Sequence, residues 1–251
     1  MEQQDTKKIS SRIAVLIDGD NAQPSLIREM LAEVSKFGRI TIRRIYGDWT
    51  TSNMNGWKES LQSNAIQPVQ QFRYTVGKNA TDSAMIIDAL DILYSKVVDG
   101  FCLVSSDSDY TRLAMRIREE GLFVMGIGRK LTPQAFRNAC EMFVFAENLS
   151  PQTQVTQTPA PPASHQLKSA ESTLASDPLP TLKKAVEISA QEDGWAFLGL
   201  LGNKIRSIDP SFDSRTYGFP GLQSLIASYP AQFELKEIKQ ELGSLVYVRL
   251  K

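Results

Sequence analysis

The sequence predicts an α/β fold, a doubly wound parallel sheet, linked to a small α+β winged helix-turn-helix domain. Three observations carry this. The stretch Arg12–Asn21 runs five apolar residues, Ile13 to Ile17, straight into Asp18-Gly19-Asp20-Asn21, as a strand buried on both faces does. Short β-branched runs then alternate with helical periodicity through roughly residue 145, the mark of a parallel sheet covered by helices. Beyond a Pro/Ser/Thr/Gln-rich stretch, three short helical segments and a hairpin pattern follow, which is a winged-helix order.

Taken in order, Pro24 opens a helix whose Ile27, Met30, Leu31 and Val34 share one face, ended by Phe37-Gly38. Ile40–Tyr46 is a second strand, followed by the polar, aromatic loop Gly47–Thr50. A short helix at Trp57–Ser63 leads to a third strand near Ile66–Val69. Thr81–Lys96 is the longest helical pattern, apolar around most of its girth, and should pack tightly on the sheet. Phe101–Val104 is a fourth strand running into Ser105-Ser106-Asp107-Ser108-Asp109, and Tyr110–Glu120 a helix closed by Gly121. Leu122–Ile127 is a fifth strand, before a helix near Pro133–Cys140.

Residues 150–178 lack any period and read as a disordered linker with an r.m.s. span of roughly 30 Å or more. The expected division is therefore 1–149, linker 150–178, and 179–251. In the last part, helices begin near Leu179, Gly194 and Gly221, and Phe233–Leu235 pairs with Leu245–Leu250 around Gly243.

Composition excludes several chemistries. The 28 basic and 28 acidic residues cancel, so a nucleic-acid partner must be held by local patches. No apolar run approaches a membrane span, and the polar start MEQQDTKK is unlike a signal peptide. A cytoplasmic location is expected. Cys102 and Cys140 read as buried, reduced thiols without zinc-site spacing. The single histidine, His165, falls in the linker, which removes Ser-His and Cys-His hydrolases and paired-histidine ribonucleases. Chemistry here must run on carboxylates, with a metal.

Asp18 and Asp20 follow the first strand, Asp107 and Asp109 the fourth. Where strand order reverses beside the first strand, these ends flank one crevice, and Asp82, at the start of the helix feeding the fourth strand, reaches the same edge. Taken singly, Asp20, Asp82, Asp107 and Asp109 read equally well as caps or turn residues, and Asp88 and Asp91 as structural or solvated. Together they crowd. Four carboxylates ~5 Å apart repel by roughly 0.8–3 kcal/mol per pair, on the order of 5–20 kcal/mol in all. That rivals a domain's whole stability and calls for a cation. Oxygen ligands without His or Cys point to Mg²⁺ or Mn²⁺, which in phosphodiester hydrolysis activates water and stabilises the leaving oxygen.

Residues 1–149 resemble a NYN domain, a branch of the PIN-like nucleases. The resemblance rests on IDGDN (17–21), NATDSAMIIDAL (79–90) and SSDSDY (105–110). It implies catalytic, metal-binding acids at Asp18, Asp82, Asp107 and Asp109, with Asn21 positioning the site, and metal-dependent endonucleolytic cleavage of RNA. Residues 179–251 are similar to a LOTUS (OST-HTH) domain through GWAFLGLLGNKI, PSFDSRTYGFPGLQSLI and FEL…VYVRL. This implies RNA binding, with protein contacts as a further role.

Candidate RNA contacts are Arg44, Trp49, Lys78, Arg112 and Arg116 beside the acids, and Lys204, Arg206, Arg215 and Arg249 in the C-terminal part. Trp49 reads equally as plain packing. Trp195, Leu198, Phe212, Tyr217, Leu222, Leu225 and Phe233 read as the C-terminal core. Two rivals stand beside the ribonuclease reading. One is a non-catalytic RNA-binding adaptor that keeps the fold. The other is a phosphatase, since Asp18-Gly19-Asp20 resembles the DxD start of haloacid-dehalogenase enzymes; Asn21, where that family has Thr or Val, counts against it.

Overall fold

The structure is a computed structural model and describes residues 11–72, 80–150, 177–240 and 243–251. Lys78 and nearly all of the expected linker lie outside the described residues.

Strands β1 (Arg12–Asp18), β2 (Arg39–Gly47), β3 (Gln67–Gln70), β4 (Gly100–Val104), β5 (Phe123–Gly128) and β6 (Met142–Phe145) form one sheet in the order β3-β2-β1-β4-β5-β6. All neighbours pair in parallel. The order reverses between β1 and β4, so their carboxyl ends share the crevice expected there. Side-chain alternation explains the unbroken apolar runs. Ile13, Val15, Ile17, Cys102 and Val104 enter one core, while Ala14, Leu16, Phe101 and Leu103 enter the other.

Helix α1 (Ile27–Ser35) closes the first core with Ile27, Met30, Leu31 and Val34. A 3-10 turn, Pro24–Leu26, precedes it, because no side chain caps the entry and Pro24 takes an early position. A second 3-10 segment, Ser52–Trp57, lies between the expected loop and the expected helix, takes in Trp57 and leads into α2 (Lys58–Asn64). It buries Trp57, whose Nε1 donates to the Gly19 carbonyl at 3.2 Å.

The opposite face carries α3 (Ala80–Ser95), α4 (Thr111–Glu119) and α5 (Gln134–Ala139). On α3 one stripe, Met85, Ala89, Ile92 and Leu93, meets the sheet, while Ile87 and Tyr94 stay exposed at 61% and 57%. The apolar girth of this helix therefore exceeds what the sheet covers. Glycine is required at 126 in β5, where a Cβ would fall 2.5 Å from the Phe143 ring.

The C-terminal unit comprises α6 (Leu179–Ser189), β7 (Ala196–Phe197), α7 (Leu198–Ile208), a 3-10 turn Ser214–Tyr217, α8 (Leu222–Ala227), β8 (Phe233–Gln240) and β9 (Gly243–Leu250). Its antiparallel sheet runs β7-β9-β8. Strand β7 has two residues, too few for an alternation to be read from sequence. Leu225 and Phe233 are buried in the core, with Leu198, Phe212, Tyr217 and Leu222 packed against it. Trp195 is instead half-buried beneath charge, with Arg249 Cζ 4.7 Å and Lys236 Nζ 5.7 Å from its ring centroid.

The segment after α7 seats this unit against the parallel sheet. Phe143 in β6 donates its N–H to the Pro210 carbonyl at 2.8 Å, and Asn148 Nδ2 donates to Thr216 Oγ1 at 2.8 Å. Arg215 forks onto Asp213 and onto the buried Glu33 of α1, the latter at 3.2 and 3.3 Å. A half-exposed guanidinium paired with a buried carboxylate lies between surface and buried ion pairs, about 1–2 kcal/mol. Arg215→Ala should therefore raise amide exchange roughly tenfold in β6 and in residues 209–217 while β1 stays protected, as read by hydrogen–deuterium exchange. Unchanged exchange in both segments would refute the anchoring role.

Candidate active site

Asp18 ends β1 and is 1% exposed. Its Oδ2 accepts from Asn21 Nδ2 at 2.6 Å and Ser105 Oγ at 2.9 Å, and its Oδ1 from the Asp20 N–H at 3.2 Å. The turn is tight because the N–H groups of Asn21 and Ala22 both return to the Asp18 carbonyl, at 3.2 and 2.9 Å. Gly19 is required there: a Cβ would stand 2.8 Å from the Tyr46 carbonyl oxygen and 2.6 Å from Met54 Cε. Burial pushes the Asp18 carboxyl above its ordinary value, the Asn21 and Ser105 bonds oppose this, and the charge of Asp82 adds to it.

Asp82 enters from the first turn of α3, and Asp107 and Asp109 from the segment after β4. One oxygen from each of these three carboxylates lies within 4.8 Å of the others. Tyr110 O–H donates to Asp82 Oδ1 at 2.8 Å, and Asp107 Oδ1 accepts the Asp109 N–H at 2.9 Å. Ser105 Oγ also accepts the Asp107 N–H at 3.1 Å, so one hydroxyl ties the end of β1 to the loop after β4. Burial raises the Asp82 pKa most; Tyr110 lowers it, and Asp107, Asp109 and Asp20 raise it further. Tyr110 itself is held well above the usual phenol range by burial and these carboxylates, so it remains a donor.

The trio matches the chemistry of a hard divalent cation, offering three carboxylate oxygens and neither nitrogen nor sulfur. Asp18 stands outside the trio, linked to it through Ser105 and through the field it shares with Asp82. Ser105 and Tyr110 were not singled out from the sequence. Ser105 is the first polar residue past an apolar strand, and Tyr110 is the aromatic closing SSDSDY, signals legible only once β1 and β4 are known to be neighbours.

The basic candidates scatter. Arg44 pairs with Asp88, which also accepts from Tyr46 O–H. Trp49 packs against the core and donates Nε1 to the Val69 carbonyl at 3.0 Å. Arg116 is held by Tyr94, Glu119 and Glu120, Arg215 by Asp213 and Glu33, and Arg249 by Glu234. Arg112 is exposed on α4, while Lys204 and Arg206 are half-buried on α7. Cys102 and Cys140 are buried and free, and burial pushes the Cys140 thiol up to about 12; neither is a nucleophile.

A six-stranded parallel sheet with acids converging at the β1–β4 crevice defines a PIN-like α/β domain. Residues 12–149 match the NYN domain and residues 169–244 the OST-HTH/LOTUS domain. The chain belongs to the NYN family, a branch of the PIN-like nuclease superfamily, and carries an OST-HTH/LOTUS domain after it. It is similar to an uncharacterized protein of Methanocaldococcus jannaschii, 29% identical over 129 residues that cover 49% of each chain. The chain thus spans about half the length of that relative. Two solved structures are also similar. One is a Vibrio parahaemolyticus protein of unknown function (19% identity, 58% of this chain and 96% of the other, TM-score 0.47). The other is an uncharacterized Nitrosomonas europaea protein (30% identity, 38% of this chain and 90% of the other, TM-score 0.30).

The folded pKa of Asp82 is raised above its unfolded value, so ionised Asp82 opposes folding fully above the folded pKa and not at all below the unfolded one. An amide at this position keeps the bond from Tyr110 and removes a charge from the trio. Asp82→Asn in EDTA should therefore raise Tm at pH 7, by about 2–4 °C for each 1 kcal/mol of repulsion and desolvation relieved in a domain of this size. The gain should vanish as pH falls towards about 4. Calorimetry across pH checks this, and a gain independent of pH would contradict it.

Proposed function

We propose that this chain is a metal-dependent endoribonuclease acting in the cytoplasm, divided into a nuclease domain (1–149), a linker (150–178) and an RNA-binding domain (179–251). The observation that carries the reading is the convergence of Asp82, Asp107 and Asp109 at the carboxyl edge of β4 in a chain of the NYN family. The OST-HTH/LOTUS match supports RNA as the partner, and two buried free thiols suit a reducing compartment. No helix among the described residues is long and apolar enough to cross a membrane.

In this reading Asp82, Asp107 and Asp109 hold Mg²⁺ or Mn²⁺, which when bound supplies charge neutralisation and Lewis acidity towards a phosphodiester. Asp18 completes the acidic set from behind. Asn21 fixes its orientation from the same turn, and Ser105 couples it to Asp107 so that both carboxylates keep one relative placement. Tyr110 bonds one Asp82 oxygen and so fixes the orientation of that carboxylate. Arg112, exposed near the start of α4, is a cation suited to a phosphate beside this edge, and a tethered RNA binder raises the substrate concentration the acids meet.

Labelled single-stranded and structured RNA, with matching DNA, incubated with Mn²⁺, Mg²⁺ or EDTA should be cut only with metal. Asp107→Asn should lower the rate at least roughly a hundredfold. Ser105→Ala, which disturbs only the placement of Asp18 and Asp107, should lower it about tenfold. Tight RNA binding without cleavage under every metal would replace this reading with the RNA-binding adaptor.

A further inference from the structure

The side of the sheet opposite the acids has its own cleft, where the C-terminal unit meets the amino ends of β5 and β6. Its volume is about 610 Å³, within the roughly 300–1,000 Å³ of ligand sites. The N-terminal unit contributes Phe37, Phe123, Arg118 and Glu141, and α7 contributes Asn203 and Arg206.

Two features distinguish it from a chance gap. First, neither arginine pairs with a carboxylate among the described residues. Arg118 Nη1 donates only to the Asn138 and Ala139 carbonyls at 3.3 Å, and Arg206 Nη2 to Asn203 Oδ1 at 2.9 Å. Burial disfavours the charge on Arg206, and the field of Asp213 only partly offsets this, so an anion in the cleft would relieve a desolvated cation. Arg118 and Glu141 are both exposed and Arg206 is half-buried, and the three leave the lining with a net positive charge.

Second, Phe37 and Phe123 stack at 5.9 Å with 24° between their planes, and both are half-buried. The same pair lines an adjoining recess of about 180 Å³ with Ser11, Ile13, Gly100 and Asp99, whose carboxylate is taken by Arg12. A cationic cleft therefore opens beside a mainly apolar, ring-lined recess. That pairing of charge and aromatic surface is what a phosphate carrying a base requires.

We infer that this inter-unit cleft binds a nucleotide unit, its phosphate on Arg118 and Arg206 and its base against Phe37 and Phe123. The unit is either part of an RNA strand or a free nucleotide; the two share this chemistry. The inference rests on the proposed function only for the choice of ligand. It places a contact at the far edge of the sheet, at least a strand length, ~17 Å for five residues, from the acids. A strand engaging both sites must run along the flank where the two units meet.

The test uses the full chain in EDTA, where no cleavage contributes. A labelled single-stranded RNA oligonucleotide is titrated by fluorescence anisotropy at several salt concentrations, and free AMP, GMP, CMP and UMP are tested as competitors. The Arg118→Ala/Arg206→Ala double variant should weaken binding tenfold or more and lower the salt slope by about 1.4, as two lost phosphate contacts on a single strand do. Phe37→Leu should weaken binding with the slope unchanged. Arg118→Lys/Arg206→Lys, which keeps both charges, should restore most of the slope and so exclude misfolding as the cause. Competition by a mononucleotide assigns the site to free nucleotide, and its absence assigns the site to the strand. Binding within twofold of wild type in the folded double variant, for the oligonucleotide and the mononucleotides alike, overturns the inference. Failure of the nuclease reading looks different: RNA bound through the cleft in EDTA but uncut with any metal.

Discussion

Burying Asp18 at the end of the central strand sets a charge against a low dielectric, and the carboxyl edge of the sheet is arranged around that conflict. The strand must be buried on both faces for the sheet to exist, so its last residue is desolvated whatever its identity. A carboxylate there tolerates its position because Asn21, Ser105 and the Asp20 N–H all donate to it. The same donors dictate the rest. The amide of Asn21 is in reach only through the tight turn at Gly19, and the Ser105 hydroxyl only because β4 lies beside β1. Ser105 in turn fixes where Asp107 leaves the strand.

Much of this was readable in the sequence because it follows from period and punctuation. The doubly wound order, the pairing of β1 with β4 and the arrival of three acidic segments at one edge need only apolar runs and the turn residues that end them. What the runs do not encode is angle. Three of the four acids bring oxygens within ligand distance while Asp18 faces its own donors, a distinction set by side-chain direction rather than spacing. Strand β7 and the 3-10 segment around Trp57 were missed for another reason. One is too short to show a period, and the other holds its shape through tertiary contacts of Met54 and Trp57.

The arginines show where sequence reading has least purchase. Arg44, Arg116, Arg215 and Arg249 looked like phosphate contacts, and each lies against a carboxylate. The partner of Arg215 on α1 is 182 residues away in the chain, beyond any local pattern. Arg118, set in a polar run, lines a cleft and lies against no carboxylate among the described residues. Which cations are available to a ligand depends on where the two units come to rest against each other.

That resting place has a consequence for solubility. The parallel sheet ends in β3 on one side and β6 on the other. Strand β3 is four residues long and contains Pro68, a poor template for another strand. Strand β6 has no such defence in its own sequence, MFVF. Its outward N–H at Phe143 is instead taken by the Pro210 carbonyl of the C-terminal unit. The second unit thus shields an open ladder, and a fragment ending after β6 would offer neighbouring molecules an apolar edge on which to self-associate.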